Sequence, residues 1–193
     1  MARILILQGH PDGKAPHLCH ALADAYAESA QAHGHHVRRI DVGRIEFPFL
    51  LSQKDWFEGT PPAVIGEAQA NLAWSEHILI LYPLWLGDMP SKLKAFLEQM
   101  LRPGFAVSGG KETLFRPLLS GRSARVVVTM SMPSLLYRCY FFAHSLRALK
   151  RNILAFVGIR PIRTTLIGGV GSMSKARCEQ WLDEMRRQGA LAA

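Results

Sequence analysis

Short strand-like runs alternate along the chain with longer amphipathic segments. Five runs have the length of buried strands: Ile4–Leu7, His36–Ile40, Ile78–Tyr82, Arg125–Met130 and Arg163–Ile167. Apolar residues recur at helical spacing between them, at His17–His33, Ala63–Trp74, Ser91–Met100, Tyr137–Val157 and Ser174–Arg187. Continuous apolar strands that alternate with helices indicate a parallel sheet covered on both faces. The pattern therefore predicts one doubly wound α/β domain over residues 1–193, built on a five-stranded parallel sheet.

Glycine and proline punctuate these predicted elements. Gly34, Gly158 and Gly189 each stand where a helix is expected to end, because glycine readily adopts the left-handed conformation found there. Pro90 stands at the first position of a predicted helix, where its missing N–H costs nothing. The segment Arg102–Ser120 is rich in glycine, proline and aromatic residues. It predicts a hairpin or similar excursion before the fourth strand.

Three strand-to-helix loops should meet at the carboxyl edge of this sheet, where open α/β sheets bind ligands. The first runs from Gln8 to His17, and its amides and following helix could cradle a phosphate. An ordinary turn is the alternative, because the loop has neither a Walker A nor a G-x-G-x-x-G sequence. The second carries Trp85, and the third is Thr129–Ser134. Together with Tyr137 they could enclose a flat ligand such as an isoalloxazine ring, which needs stacking area and hydrogen-bond donors.

The net charge of +8 is unevenly distributed. Residues 113–178 contain eleven Lys and Arg and no acidic residue, whereas the remainder holds 12 basic and 15 acidic residues. This basic stretch could face nucleotide phosphates, an anionic membrane surface or an acidic partner, or be a solvated surface. No nucleic-acid recognition motif accompanies the charge, so a nucleic-acid partner is not expected.

Cysteine and histidine usage bears on compartment and metal binding. The three cysteines are widely spaced and odd in number, which favours free thiols in a reducing cytoplasm. Ile4–Leu7 is too short for a signal-peptide core, and no apolar run approaches a membrane span, so we expect a cytoplasmic protein. The histidines in His33–His36 and His17–His20 lack nearby carboxylates or paired cysteines, and we expect no metal site there.

Four segments carry a resemblance to a known family. They are ILILQGHPD, YPLWLGDMPSKLKAFLEQMLRPGFAV, SGRSARVVVTMSMP and FVGIRPIRTTLIGGVGSMSKARCEQWL. In this order they resemble the NAD(P)H:quinone oxidoreductase family of flavodoxin-like flavoproteins over nearly the whole chain. The resemblance implies a flavodoxin-like fold and tightly bound FMN or FAD. It also implies two-electron hydride transfer from NADH or NADPH to a quinone-like acceptor, usually in a homodimer.

The resemblance also implies a set of cofactor-binding residues. His10 and His17 match positions that contact the flavin phosphate or ribityl chain, and the same loop contributes Ala15 and Pro16. Relatives commonly have serine and asparagine where this chain has Ala15 and His17. The loop against the ring matches Pro83, Leu84, Trp85, Leu86 and Gly87, and the loop that supplies donors to the ring matches Thr129, Met130 and Ser131.

Two catalytic candidates follow from the same resemblance. Tyr137 matches a tyrosine of the substrate pocket and is the candidate donor to a quinone oxygen. His144 is the second candidate, since it is adjacent to Ala143, where some members have a histidine that works with this tyrosine.

A regulatory role is the alternative to an enzyme. Some relatives are ancillary subunits of potassium-efflux systems at the membrane, and the basic stretch could serve such docking. Turnover of NAD(P)H with a simple quinone separates the two, because a sensor would bind nucleotide yet turn over slowly without its partner.

Overall fold

The computed structural model describes residues 1–109 and 114–193 and is built around a parallel sheet. Its strands are β1 (Arg3–Gln8), β2 (His36–Asp41), β3 (His77–Pro83), β4 (Val107–Ser108), β5 (Arg116–Pro117), β6 (Ser123–Thr129) and β7 (Ile162–Ile167). Five of them form one sheet in the order β2-β1-β3-β6-β7, with every neighbouring pair parallel. This is the doubly wound order of flavodoxin, and it confirms the predicted fold class.

Helices cover both faces of the sheet. They are α1 (Leu18–Ala32), α2 (Gln53–Glu58), α3 (Ala63–Trp74), α4 (Ser91–Met100), α5 (Ser134–Cys139), α6 (His144–Ala148) and α7 (Lys175–Ala190). Successive side chains of a strand point to opposite faces. Accordingly Ile4 and Ile6 of β1 pack with α1 and α7, whereas Leu5 and Leu7 pack with α3 and α4. The strands read as continuously apolar because both faces are buried.

Two of the three expected glycine helix ends are confirmed, and the third is wrong. Gly34 follows α1 with φ +80°, and Gly158 has φ +101°. Gly189 instead lies inside α7, where a Cβ would stand 2.3 Å from the carbonyl oxygen of Tyr26. The absent side chain lets α7 pack directly against α1.

The single long helix predicted from Tyr137 to Val157 is also wrong. The chain forms α5, then a turn in which Phe142 and Ala143 have φ of +52° and +47°, then α6 and a π-helical segment. The buried Tyr137 hydroxyl accepts a hydrogen bond from the Leu146 amide at 3.2 Å and pairs with Ser145 Oγ at 2.7 Å. This satisfies one of the free amides at the start of α6 and fixes the turn.

The predicted hairpin in Arg102–Ser120 is confirmed by the antiparallel pair β4 and β5. Residues 110–113, which include the first residue of the basic stretch, lie outside the described residues. Cys19, Cys139 and Cys178 are all free, as expected. In the described part of the chain, no helix combines the length and the apolar character needed to cross a membrane.

Candidate functional site

A cleft of about 170 Å³ opens at the carboxyl edge of the sheet, beyond the ends of β1, β3 and β6. The three predicted loops meet there, and the first turn of α1 adds to its wall. The lining residues are His10, His17, Leu18, Cys19, Pro83, Leu84, Trp85, Thr129, Met130, Ser131 and Val170. Eight of the predicted cofactor residues are therefore brought together. Ala15, Pro16, Leu86 and Gly87 lie in the same loops but do not line the cleft.

A tight turn presents Trp85 beside the cleft. The Trp85 amide donates to the Asp88 carbonyl at 2.8 Å, and the Asp88 amide donates back at 2.9 Å. The two central residues, Leu86 and Gly87, both have positive φ, at +48° and +80°, as a type I′ turn requires. The Trp85 side chain is 51% exposed, and Leu86 is fully exposed. The turn thus holds a half-open indole and a strained leucine at the rim.

Backbone hydrogen bonds join the loops around the cleft. The Leu84 amide donates to the Thr129 carbonyl at 2.7 Å, and the Gly169 amide donates to the Met132 carbonyl at 3.1 Å. A Cβ on Gly168 would lie 2.7 Å from that same Met132 oxygen. The glycine-rich segment after β7 therefore acts as a close packing partner for the third loop.

Cys19 forms part of the lining that the sequence pattern did not identify. Its Sγ lies 3.1 Å from Thr129 Oγ1 in a buried contact. Burial raises the pKa of the Cys19 thiol to about 11, because the thiolate loses its hydration. The thiol therefore stays protonated near neutral pH, and the Thr129 hydroxyl is used inside the protein. A buried cysteine at a helix start gives no sequence signal beyond packing.

Three histidines cluster beside Trp85. The rings of His10 and His17 stack with centroids 3.8 Å apart, and His20 lies 5.5 Å from His10. Burial, followed by repulsion from His17 and His20, lowers the pKa of His10 below its ordinary 6.5. His10 is thus neutral at physiological pH. Within residues 1–109 and 114–193, no three His, Cys, Asp or Glu side chains are arranged to hold a metal ion.

Asp12 occupies the amides that were expected to cradle a phosphate. Its Oδ1 accepts from the Lys14 and Ala15 amides at 2.9 and 3.2 Å, and His17 Nε2 pairs with its Oδ2 at 2.9 Å. The hydrogen bond from His17 and the two backbone amides hold the pKa of this carboxyl well below its usual range. In this conformation the Lys14 and Ala15 amides are therefore taken by Asp12, with Ala15 and Pro16 exposed, and phosphate binding by this loop stays a prediction.

The two catalytic candidates lie outside the cleft lining. Tyr137 is buried, and its hydroxyl is occupied by Ser145 and Leu146. In this structure the hydroxyl helps to hold the turn before α6, and its role as a donor to a quinone oxygen stays a prediction. His144 is exposed, with its ring 5.8 Å from that of Phe142. Its catalytic role stays a prediction.

The cleft suits the planar part of a flavin. Trp85 offers a half-exposed indole, and the exposed Ser131 offers a hydroxyl in the same lining. At about 170 Å³ the cleft is smaller than the range of roughly 300–1,000 Å³ that small-molecule sites usually span. A flavin would therefore extend beyond the cleft over its rim. The lining has the stacking surface and donors that such a ring needs.

Comparisons with known sequences point to flavoproteins. A family model described as flavodoxin-like fold matches residues 2–188. The FMN-dependent NAD(P)H:quinone oxidoreductase 1 of Pseudomonas aeruginosa is 30% identical over 149 residues, which cover 67% of this chain and 68% of that protein. The ribosyldihydronicotinamide dehydrogenase-like protein traD of Penicillium crustosum is 25% identical over 154 residues, or 66% of this chain. The match spans only 57% of the Penicillium protein.

Solved structures share the same fold. An NAD(P)H:quinone oxidoreductase from Methanothermobacter marburgensis superimposes with a TM-score of 0.79 at 23% identity, covering 98% of both chains. An FMN-dependent NADH-azoreductase from Bacillus anthracis, solved in complex with FMN, gives a TM-score of 0.75 at 18% identity over the full length of both. At these identities the likeness establishes the architecture alone.

Proposed function

This chain belongs to the flavodoxin-like-fold family, as its sequence resemblance predicts, and on that premise we propose that it is a flavin-dependent oxidoreductase. It binds FMN, accepts two electrons from NADH or NADPH, and passes them to a quinone or similar acceptor. One observation carries the proposal: three loops converge at the carboxyl edge of the sheet around a half-exposed Trp85. The relatives named as FMN-dependent support FMN rather than FAD.

Each part of the cleft has a task in this proposal. Bound FMN supplies the hydride chemistry that links a nicotinamide to its acceptor. Trp85 and Leu84 form a wall against the ring and exclude water from one of its faces. Ser131 and the third-loop backbone donate to the polar edge of the ring. His10 Nδ1 accepts from the Asp12 amide at 3.2 Å, so the neutral imidazole carries its proton on Nε2 and donates from there.

The first loop binds the flavin phosphate only if Asp12 moves. We place the phosphate on the Lys14 and Ala15 amides, in exchange for the carboxylate that occupies them. Replacing Asp12 by Ala frees both amides and removes a negative charge. Asp12→Ala should therefore tighten FMN binding while leaving the affinity for riboflavin, which has no phosphate, unchanged. If the FMN affinity of Asp12→Ala equals that of wild type or is lower, the phosphate binds elsewhere.

Reconstitution tests the proposal directly. Titrating the purified protein with FMN should shift the flavin absorbance spectrum and raise the melting temperature, because the ligand binds the folded state alone. The loaded protein should then oxidise NADH or NADPH in the presence of a simple benzoquinone. No spectral or thermal response to saturating FMN or FAD would refute flavin binding. Flavin binding without turnover would favour the regulatory subunit.

A homodimer forms part of the proposal. Its support is the number of large apolar side chains exposed in and just after α5: Leu135, Leu136, Tyr140, Phe141 and Phe142. Exposed apolar clusters of this kind mark interaction surfaces. Light scattering should give twice the mass of one chain, and Tyr140→Ser combined with Phe142→Ser should give the monomer mass. A wild-type monomer would refute the dimer while leaving the proposed chemistry intact.

A further inference from the structure

A second cavity, of about 410 Å³, lies beside the edge strand β7. Its lining comes from α5, α6, the following π-helical turn and β7, and comprises Ser134, Arg138, Ala143, Leu146, Arg147, Lys150, Thr164 and Leu166. Ser134 ends the third loop, which also lines the flavin cleft through Met130 and Ser131. One loop therefore connects the two sites.

The charges of this cavity are all of one sign. Arg138, Arg147 and Lys150 line it, and none of the lining residues is acidic. Among the residues that the structure describes, none of these three side chains has an ion pair or a hydrogen bond, and Arg138 and Arg147 are exposed. By contrast, the exposed Arg186 is paired with acidic neighbours. Three unpaired cations that line one concave surface repel each other unless an anion joins them.

The hydrogen-bond donors that line this cavity indicate which kind of anion it binds. Guanidinium groups bind phosphate through pairs of N–H donors, and a lysine adds a point charge. The hydroxyl groups of Ser134 and Thr164 are further donors in the same lining. A phosphate monoester carries a charge of about −1.5 to −2 at neutral pH and three acceptor oxygens, so it needs more than one cation. A diester phosphate or a neutral ligand would leave most of this charge unmatched.

We propose that this cavity binds the 2′-phosphate of NADP(H) and thereby selects NADPH as the electron donor. The proposal rests on the function proposed above, because it requires the nicotinamide of the same molecule to reach the flavin cleft. The nucleotide would follow the third loop from one site to the other. NADH lacks the 2′-phosphate and leaves the three cations unmatched, so the protein prefers NADPH.

Binding of the oxidised nucleotides tests the subsite without any catalysis. NADP+ should bind about tenfold more tightly than NAD+ in calorimetry at constant ionic strength, the usual effect of one strong charged contact, because the 2′-phosphate is the only phosphate monoester in either molecule. Arg147→Gln and Lys150→Gln should each remove most of that difference. Lys54→Gln removes the same charge from an exposed position on α2 and should leave the difference intact. Melting temperatures confirm that each variant is folded.

The remaining outcomes are equally informative. In the loaded enzyme, Arg147→Gln should lower kcat/KM for NADPH about tenfold more than that for NADH. Equal binding of NADP+ and NAD+ by the wild type, or equal displacement of both by inorganic phosphate, would overturn the 2′-phosphate assignment. A wild type that fails to bind FMN yet discriminates the two nucleotides in an Arg147-dependent way would refute the proposed function and leave the phosphate subsite standing.

Discussion

The replacement Trp85→Ala tests the placement of the flavin ring most directly. Trp85 stands on a turn that two backbone hydrogen bonds close, so its side chain can be removed without opening the loop. The turn conformation depends on Leu86 and Gly87, which the replacement leaves in place. A change in flavin affinity would then report the lost contact with the indole.

The expected magnitude follows from the exposed part of the indole. Trp85 is 51% exposed, so roughly half of its surface remains for a ligand to cover. A tryptophan buries up to about 250 Å², and covering half of that at about 25 cal/mol per Å² contributes about 3 kcal/mol. A stacked ring covers one face alone, so the loss should be about 1–3 kcal/mol, or roughly 5- to 150-fold in Kd.

Fluorescence titrations with FMN and with riboflavin measure this loss. The affinities for both ligands should fall by the same factor, because the contact involves the ring and not the phosphate. Trp56→Ala is the matched control, since Trp56 packs against Phe57 and Phe115 away from the cleft. It should leave both affinities unchanged. Unaltered flavin affinity in Trp85→Ala would show that the ring does not stack on this residue.

Three further predictions concern stability and catalysis. Burial, with repulsion from nearby arginines, lowers the pKa of His77 to about 4, so between pH 6.5 and 4 only the unfolded chain binds this proton. The free energy of unfolding should therefore fall by roughly 3 kcal/mol as the pH is lowered from 6.5 to 4. Thermal melts of His77→Asn should show a weaker pH dependence than those of wild type. Gly189→Ala should lower stability by about 1–3 kcal/mol, because its Cβ would meet the Tyr26 carbonyl; Gly171→Ala, with open space around it, is the control in the same melts. Tyr137→Phe should lower the free energy of unfolding by about 1–3 kcal/mol, because buried hydrogen bonds are lost. It should leave kcat with a quinone within about twofold of wild type. A loss of kcat greater than about tenfold would identify Tyr137 as a catalytic residue.

The sheet and the meeting of the loops could be predicted from sequence because both depend on local pattern. The predicted run Ile78–Tyr82 lies within β3, and Arg125–Met130 overlaps β6. A parallel sheet places all of its strand ends at one edge, so the position of Trp85 followed from topology alone. The Asp12 turn also has a signal in the sequence, since an aspartate before a glycine often bonds to the backbone two residues ahead.

The errors have non-local causes. No glycine or proline stands at Phe142 or Ala143, so the sequence there reads as continuous helix. The break depends on the Tyr137 hydroxyl, which bonds to residues eight and nine positions ahead. A glycine at position 189 is the residue type expected at a helix end. Its place inside α7 instead depends on the close contact with α1, which is distant in sequence. Helix α2 is six residues long and too short to show an apolar period.

Backbone strain links the two surfaces on which the proposals rest. A left-handed conformation costs a non-glycine residue roughly 1–2 kcal/mol, and such residues concentrate where function requires them. Leu86 is strained in the turn that presents Trp85, and Phe142 and Ala143 are strained in the turn beside the basic cavity. In both turns a large apolar side chain, Leu86 or Phe142, is exposed to water. Neither the strain nor the exposure stabilises the isolated chain. Both are explained if a ligand covers the first turn and a second subunit covers the other.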